Sequence, residues 1–277
     1  KFEVVTKALQ LECGGNGRAF FSPPASGNQW TYGAVSCSEW TGVRLSDVLK
    51  ASNIKENSIY TGHYGTDIHL SGNKNKEAIS RGIPIKKALD ENNIIAFGMN
   101  RKNIPQIHGA PLRLVCPGWP GSTSQKWLNK IKVLKHIHNG TKMTGKSYKV
   151  PKYPTPPGNK VDISDFKIIE SMPVKSLITY PQTGLTHSSQ KLKINGHAWA
   201  GDKYIKKVEI TIDYGVTWLE ANLYKPVNKY AWQNWHTEIV FPSKGYFEIW
   251  SKATDEDNIS QPYDINWNPK GYLNNSV

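Results

Sequence analysis

"LECGGNGR" (Leu11–Arg18) places a cysteine between an acid and a pair of glycines, with an arginine five positions after it. A structural thiol sits among apolar neighbours and needs no glycines. This one ends an alternating stretch, Phe2, Val4, Val5, Leu9 and Leu11, that reads as a strand and then meets a turn. The backbone at Gly14, Gly15 and Gly17 is free to take positive φ or to lie against another group. A thiolate displayed on such a loop can ligate a metal or act as a nucleophile, and Arg18 favours its ionised form. Taken alone, the stretch is more simply a tight turn around an inert cysteine. The rest of the chain has to decide.

The chain has 277 residues, 38% of them apolar, with ten tryptophans and thirteen tyrosines. That composition excludes disorder and allows one large domain or two ordinary ones. The formal charge of +13 raises the local concentration of anions at the surface. The lysines are scattered and form neither a basic helix nor a zinc-knuckle spacing, so nucleic acid is not an expected partner. Cysteines at 13, 37 and 116 give an odd count with no CxxC pair. A disulfide framework, an iron–sulfur cluster and a covalently attached haem are all disfavoured. No apolar run is long enough for a transmembrane span. The opening "KFEVVTKALQLECGG" lacks a methionine and a signal peptide, and reads as a fragment or a processed product.

Residues 1–160 mix short strands with short helices. "TGVRLSDVLKASNI" (41–54) predicts a helix with Ser46 as a candidate N-cap, and "RGIPIKKALDENNIIAFGMN" (81–100) predicts a short helix and then a strand from Ile94 to Met99. "PLRLVCPGW" (111–119) is a buried strand ending at a Pro-Gly turn, and "QKWLNKIKVLKHI" (125–137) carries an outgoing strand from Trp127. "YKVPKYPTPPGNKVD" (148–162) holds four prolines and reads as a linker or extended loop. From there to residue 277 the chain turns to short β-rich runs such as "KLKINGHAWA" and "VEITIDYGVTW", separated by Gly, Pro and Asp turns. This spacing points to a β-sandwich over 161–277, with "DYGVTW" as a hairpin turn.

The first part also places polar residues where a packed loop does not require them: Arg18, Asp67 in "HYGTD", His108 and Arg113 in "HGAPLR", and Lys126 in "SQKW". Converging Arg, Lys and His suit a phosphate or another anion. No Walker loop or dinucleotide fingerprint is present. A zinc site on Cys13 lacks any short tetrahedral-ligand spacing. A Cys–His nucleophile pair stays open, because such pairs meet only in the fold.

The linked motifs go further than their parts. "LECGGNGRAFF" (11–21), "QWTYGAVSCSEWTGVRLSDVL" (29–49), "HGAPLRLVCPGWPGSTSQKWLNKIKV" (108–133) and "MTGKSYKVP" (143–151) together resemble the sulfite oxidase family of molybdenum enzymes. The resemblance covers essentially the whole chain. It implies an α+β fold: a mixed molybdopterin-binding catalytic domain over 1–160, then an immunoglobulin-like dimerisation domain over 161–277. In the family's C-x-G-N loop the cysteine gives molybdenum its one protein thiolate, and Cys13 stands at that position. Molybdopterin supplies the other sulfur ligands, which makes sense of an isolated cysteine. Cys37 and Cys116 do not match the ligand position and are expected to pack.

By the same resemblance, Arg18 matches an active-site arginine, Trp30 a tryptophan lining the substrate pocket, and Tyr148 a tyrosine beside the metal. Asp67, His108, Arg113, Ser124 and Lys126 fall on pterin-binding positions, with the cations expected on the phosphate. Lys270, in "WNPKGYLNN", stands where vertebrate and plant enzymes have an arginine reaching the substrate pocket. Lysine keeps the charge and loses the planar fork. Family members carry further cofactor-binding segments ahead of the stretch matching residue 1, so part of that domain is expected to be missing.

The activity implied is oxidation of sulfite to sulfate, with electrons passed to an external acceptor such as a c-type cytochrome, in a periplasmic homodimer. "CSEWTGV" (37–43) also resembles the sulfane dehydrogenase branch. An S- or N-oxide reductase and a non-enzymatic anion-binding interaction protein complete the alternatives.

Overall fold

In the computed structural model, which describes all 277 residues, the alternating stretch ahead of Cys13 is the strand β1 (Val4–Glu12). It is followed by β2 (Val35–Arg44), α1 (Leu45–Ala51), β3 (Tyr60–Gly65), β4 (Gly82–Pro84), α2 (Ile85–Ala88) and β5 (Ile94–Met99). Next come β6 (Lys102–Asn103), β7 (Arg113–Val115), β8 (Leu128–Leu134), β9 (Lys149–Pro151) and β10 (Phe166–Ile168). β1 and β2 pair antiparallel from Val4–Val43 to Glu12–Val35, and β5 adds to β2 while also pairing β6 and β7. A second antiparallel sheet has the order β4-β3-β8.

β2 runs into α1 with no loop between them. Arg44 keeps an extended backbone as the cap residue, and the Leu45 N–H donates to the Asn93 carbonyl at 2.9 Å. Ser46, expected as the N-cap, therefore lies buried inside the first turn, because a backbone carbonyl already serves the helix end. Leu45 and Leu49 of α1 pack with Ile83, Ile95, Leu114, Cys116, Trp119 and Leu128 in the core of this unit.

The chain divides into two units, Lys1–Ser171 with Trp267–Tyr272, and Met172–Asn266 with Leu273–Val277. This differs from a change at 160/161. The Pro-rich stretch expected as a linker contains β9, which pairs antiparallel with β10, so the first unit continues to Ser171. Pro151 is tolerated at the last position of a two-stranded edge, where no further ladder donor is needed.

The second unit contains β11 (Val174–Tyr180), β12 (Lys191–Ala200), β13 (Ile205–Thr211), β14 (Leu219–Glu220), β15 (Asn222–Leu223), β16 (Gln233–Val240) and β17 (Trp250–Asp255). Its two sheets have the orders β11-β12-β16-β15 and β14-β13-β17. Leu192, Ile194, Trp235 and Ile239 from one sheet meet Val208, Ile210 and Ala253 from the other, forming an immunoglobulin-like sandwich. The "DYGVTW" turn joins β13 to β14, with Tyr214 at φ 59° and Gly215 at φ 88°.

Two consequences for stability follow from packing. A Cβ at Gly196 would stand 2.1 Å from the Trp235 ring and 2.3 Å from the Leu177 carbonyl oxygen. Gly196→Ala is expected to destabilise the sandwich by about 1–3 kcal/mol, read as a lower melting temperature. On β3, His63 is fully buried, and burial first, then the charges of His138 and Arg81, lowers its pKa from 6.5 to about 3. The unfolded chain therefore binds one more proton between those values. This contribution is complete above about pH 6.5 and declines by about 1.4 kcal/mol per pH unit as the pH falls toward 3. Urea unfolding at a series of pH values should show that slope, and His63→Gln should flatten it.

Candidate active site

The loop after β1 is locked by its own polar side chains. Asn16 is buried; its Nδ2 donates to Glu12 Oε1 at 3.0 Å, and its Oδ1 accepts the Ala34 N–H at 3.0 Å. The Cys13 N–H donates to the Ala34 carbonyl at 2.9 Å, and the Gly15 N–H points at Cys13 Sγ at 3.4 Å. Of the three glycines expected to need freedom here, only Gly17 has positive φ, at 84°. Gly15 is required for a different reason: a Cβ there would meet the Arg18 guanidinium at 2.3 Å.

Arg18 is 6% exposed. Its Nε donates to the Lys270 carbonyl at 2.7 Å and its Nη1 to the Asn28 carbonyl at 2.8 Å. Its Cζ lies 5.0 Å from the centroid of the Tyr272 ring. Tyr272 stacks on Tyr148 with centroids 5.7 Å apart and an interplanar angle of 21°. Burial, then Tyr272 and Cys13, raise the Tyr148 phenol above its usual 10, against the pull of Arg81 and Arg18, so the hydroxyl keeps its proton at neutral pH.

Cys13, Gly14 and Tyr148 line one cavity of about 240 Å³ together with Glu12, Arg113 and Ser122. Arg113 Nε and Ser122 Oγ, from two of the lining residues, are buried without a protein partner, and outside the lining Gln125 Oε1 is too. Arg113 Nη1 donates to the His108 carbonyl at 3.1 Å, and burial lowers the Arg113 pKa to about 10, which leaves it cationic. Lys126 Nζ donates to the Ile107 carbonyl at 3.0 Å. Burial and Arg113 lower its pKa while Asp67 raises it. Gly65 has no room for a Cβ between Asp67 Oδ1 and Gln125 Nε2, so Asp67, Gln125, Lys126, Arg113 and the His108 loop form one polar group.

The fold thus brings Cys13, Arg18 and Tyr148 together, and gathers Asp67, His108, Arg113 and Lys126 into a second group. Arg113 and Cys13 share a cavity. Ser124 is buried, and its Oγ accepts the Cys116 N–H at 2.9 Å. Lys270 turns its ammonium to Ser26 Oγ at 3.2 Å, while its carbonyl holds Arg18. Trp30 is 44% exposed, and its carbonyl accepts the Ala19 N–H. Ser122, Gln125 and Tyr272 were missed in the sequence. "PGSTSQK" shows a run of polar side chains, but in a 3-10 turn no periodicity tells which one faces a cavity.

No group of three or more His, Cys, Asp or Glu is placed here to ligate a metal. The donor set is one thiol beside unpartnered cationic and hydroxyl donors. That set fits a metal arriving with its own soft ligands and an anionic, hydrogen-bonding tail. Charge supports the same conclusion. The unit containing the cavity carries 25 lysines and arginines against 12 aspartates and glutamates, whereas the other unit carries ten of each.

Comparison with known proteins agrees with this donor set. Residues 1–142 match the oxidoreductase molybdopterin-binding domain, and residues 166–277 match the Mo-co oxidoreductase dimerisation domain. Mitochondrial sulfite oxidase from Rattus norvegicus is 30% identical over 290 residues, covering 100% of this chain and 52% of the relative. NADPH nitrate reductase from Fusarium oxysporum is 26% identical, covering 99% of this chain and 34% of the relative. The chain spans about half the length of the curated sulfite oxidases it matches. Among solved structures, the sulfane dehydrogenase SoxCD from Paracoccus pantotrophus superposes with a TM-score of 0.81 at 26% identity, covering 100% of this chain and 68% of that one. With its cofactor-binding and dimerisation domains both matched, the chain belongs to the sulfite oxidase family of molybdopterin oxidoreductases.

Proposed function

We propose that this protein oxidises sulfite to sulfate, with water as the oxygen source, and releases two electrons to an external acceptor such as a c-type cytochrome. The observation that carries the reading is the single thiol of Cys13 at a cavity walled by Arg113 and Tyr148. The molybdenum–molybdopterin group supplies the two-electron redox chemistry when bound. Cys13 would give it a protein thiolate, and Arg113, Lys126, Asp67, Ser122 and Gln125 would hold its polar end. The dimerisation domain supports action as a homodimer.

The chain's own residues do the rest. Sulfite is an anion, and the unit's excess of cations draws it in. Arg18 is fixed by two carbonyls through Nε and Nη1, so its remaining donors are oriented before substrate arrives. Tyr148, protonated at neutral pH, is a hydrogen-bond donor at the cavity wall. Neither group needs to move a proton; both hold an oxyanion in place as its charge redistributes. A sulfane-sulfur substrate is the alternative favoured by the likeness to SoxCD. Turnover of sulfite against a sulfane donor on one preparation separates the two.

The full chain, produced in a host that makes molybdopterin, is expected to hold close to one molybdenum per chain and to reduce ferricyanide with sulfite. Cys13→Ser should lose at least about a hundredfold in that rate, in line with removal of a directly ligating group. A wild-type chain without molybdenum would overturn the reading. Gly15→Ala separates metal binding from anion orientation, because the added methyl displaces the Arg18 guanidinium and leaves the thiol in place. Its molybdenum content should match the wild type while kcat/KM for sulfite falls about tenfold or more.

A further inference from the structure

Arg81 has no place in the roles above. It is fully buried; Nη1 donates to the Lys142 carbonyl at 3.2 Å, and Nε and Nη2 are buried with no partner. A guanidinium in that condition is costly unless something else meets its charge. What meets it is an aromatic face. Arg81 Cζ stands 4.9 Å from the centroid of Tyr148, within the range of a cation–π contact. Tyr148 stacks on Tyr272, and Arg18 lies over Tyr272. Two tyrosine rings are therefore each covered by an arginine, one from the Cys13 loop and one from the residue preceding β4.

Tyr148 has φ 54°, a left-handed conformation that a bulky residue does not adopt by local preference. Its neighbours impose that conformation. The Ile169 N–H donates to the Tyr148 carbonyl at 3.1 Å and fixes the backbone, but no hydrogen bond from the protein holds the phenol. The ring meets Tyr272 and Arg81.

We propose that Arg81 is a positioning residue for Tyr148, its flat guanidinium backing the ring and fixing where the phenolic oxygen stands in the Cys13 cavity. The effect on rate rests on the sulfite-oxidising reading, whereas the geometry does not. The groups facing Tyr148 are Tyr272 from the returning segment, Cys13 and Arg18 from the loop after β1, and Arg81 from the edge of β4. Burial, Tyr272 and Cys13 raise the phenol's pKa, and the two arginines lower it. Loss of Arg81 thus frees the ring and raises the phenol further. A lysine supplies the charge but not the planar face.

The test uses the full chain loaded with cofactor and labelled with fluorotyrosine, the Tyr148 fluorine resonance being assigned by its loss in Tyr148→Phe. In Arg81→Gln the resonance is expected to shift and broaden. In Arg81→Lys, which keeps the charge and loses the planar face, the resonance should also move. The rate of sulfite oxidation should fall about tenfold in Arg81→Gln through kcat, with KM changed less. A Tyr148 resonance unmoved in both variants, with only a lower melting temperature, would overturn the proposal. If Arg81→Gln does not fold, Arg81→Lys decides alone: a displaced resonance supports the role and an unmoved one removes it. A wild type that does not oxidise sulfite defeats the functional reading, and the fluorine signal still judges the positioning role.

Discussion

The buried Arg18 guanidinium receives two backbone carbonyls, one from Asn28 ten residues on and one from Lys270. The second lies 252 residues away in sequence, so the pairing draws Trp267–Tyr272 back into the first unit. Once that segment is in place, other features follow. Gly271 is needed because a Cβ there would stand 2.6 Å from Arg18 Cγ, and Gly27 because one would stand 2.8 Å from Nη1. Tyr272 arrives with the segment, covers the guanidinium and offers its ring to Tyr148. The Cys13 loop is thereby clamped from outside as well as by Asn16 within it. A thiol fixed in this way would lose little conformational freedom on binding a ligand.

How much of this was legible in the sequence depends on whether the signal was local. The strand before Cys13, the strand from Ile94 to Met99 and the turn at "DYGVTW" are carried by alternation and turn residues, and they appear where those patterns place them. The glycines were legible as necessary but not in their role. Gly15 serves close approach, and its partners in sheathing Arg18, Gly27 and Gly271, lie in separate stretches that no spacing connects. The stretch from 148 to 162 looked like a linker because its prolines dominate composition. Yet Lys149–Pro151, which includes the first of those prolines, pairs with β10 before the other three.

The site was divided in the same way. Cys13, Arg18 and Tyr148 stand inside motifs whose order and spacing are distinctive, and the fold assembles them at one place. Ser122, Gln125 and Tyr272 belong to loops where orientation is set by tertiary packing. Arg81 is harder still. In "SRGIP" an arginine between small residues predicts an exposed side chain, because a charged group is almost never fully buried without a partner. Its partner is a ring 67 positions later in the numbering, and a cation–π contact leaves no mark in the sequence.

The electrostatics explain why the arginines are disposed as they are. A site that binds an anionic cofactor through a thiolate and then admits an anionic substrate accumulates negative charge in a partly buried volume, where repulsion is weakly screened. Free cations at the mouth alone would be neutralised by cofactor before substrate arrived. Here the positive charge is layered. Arg113 and Lys126 stand with the polar group that would hold the cofactor, and burial lowers Arg113 only to about 10, so its charge persists at neutral pH. Arg18 is bonded to neutral carbonyls that leave its charge uncancelled. Arg81 stands behind the tyrosine, its charge met by an aromatic face and not by a carboxylate. Arg18 and Arg81 are bonded to carbonyls and covered by rings, not paired with carboxylates, so their charge is not cancelled, and their unit carries 25 lysines and arginines against 12 aspartates and glutamates.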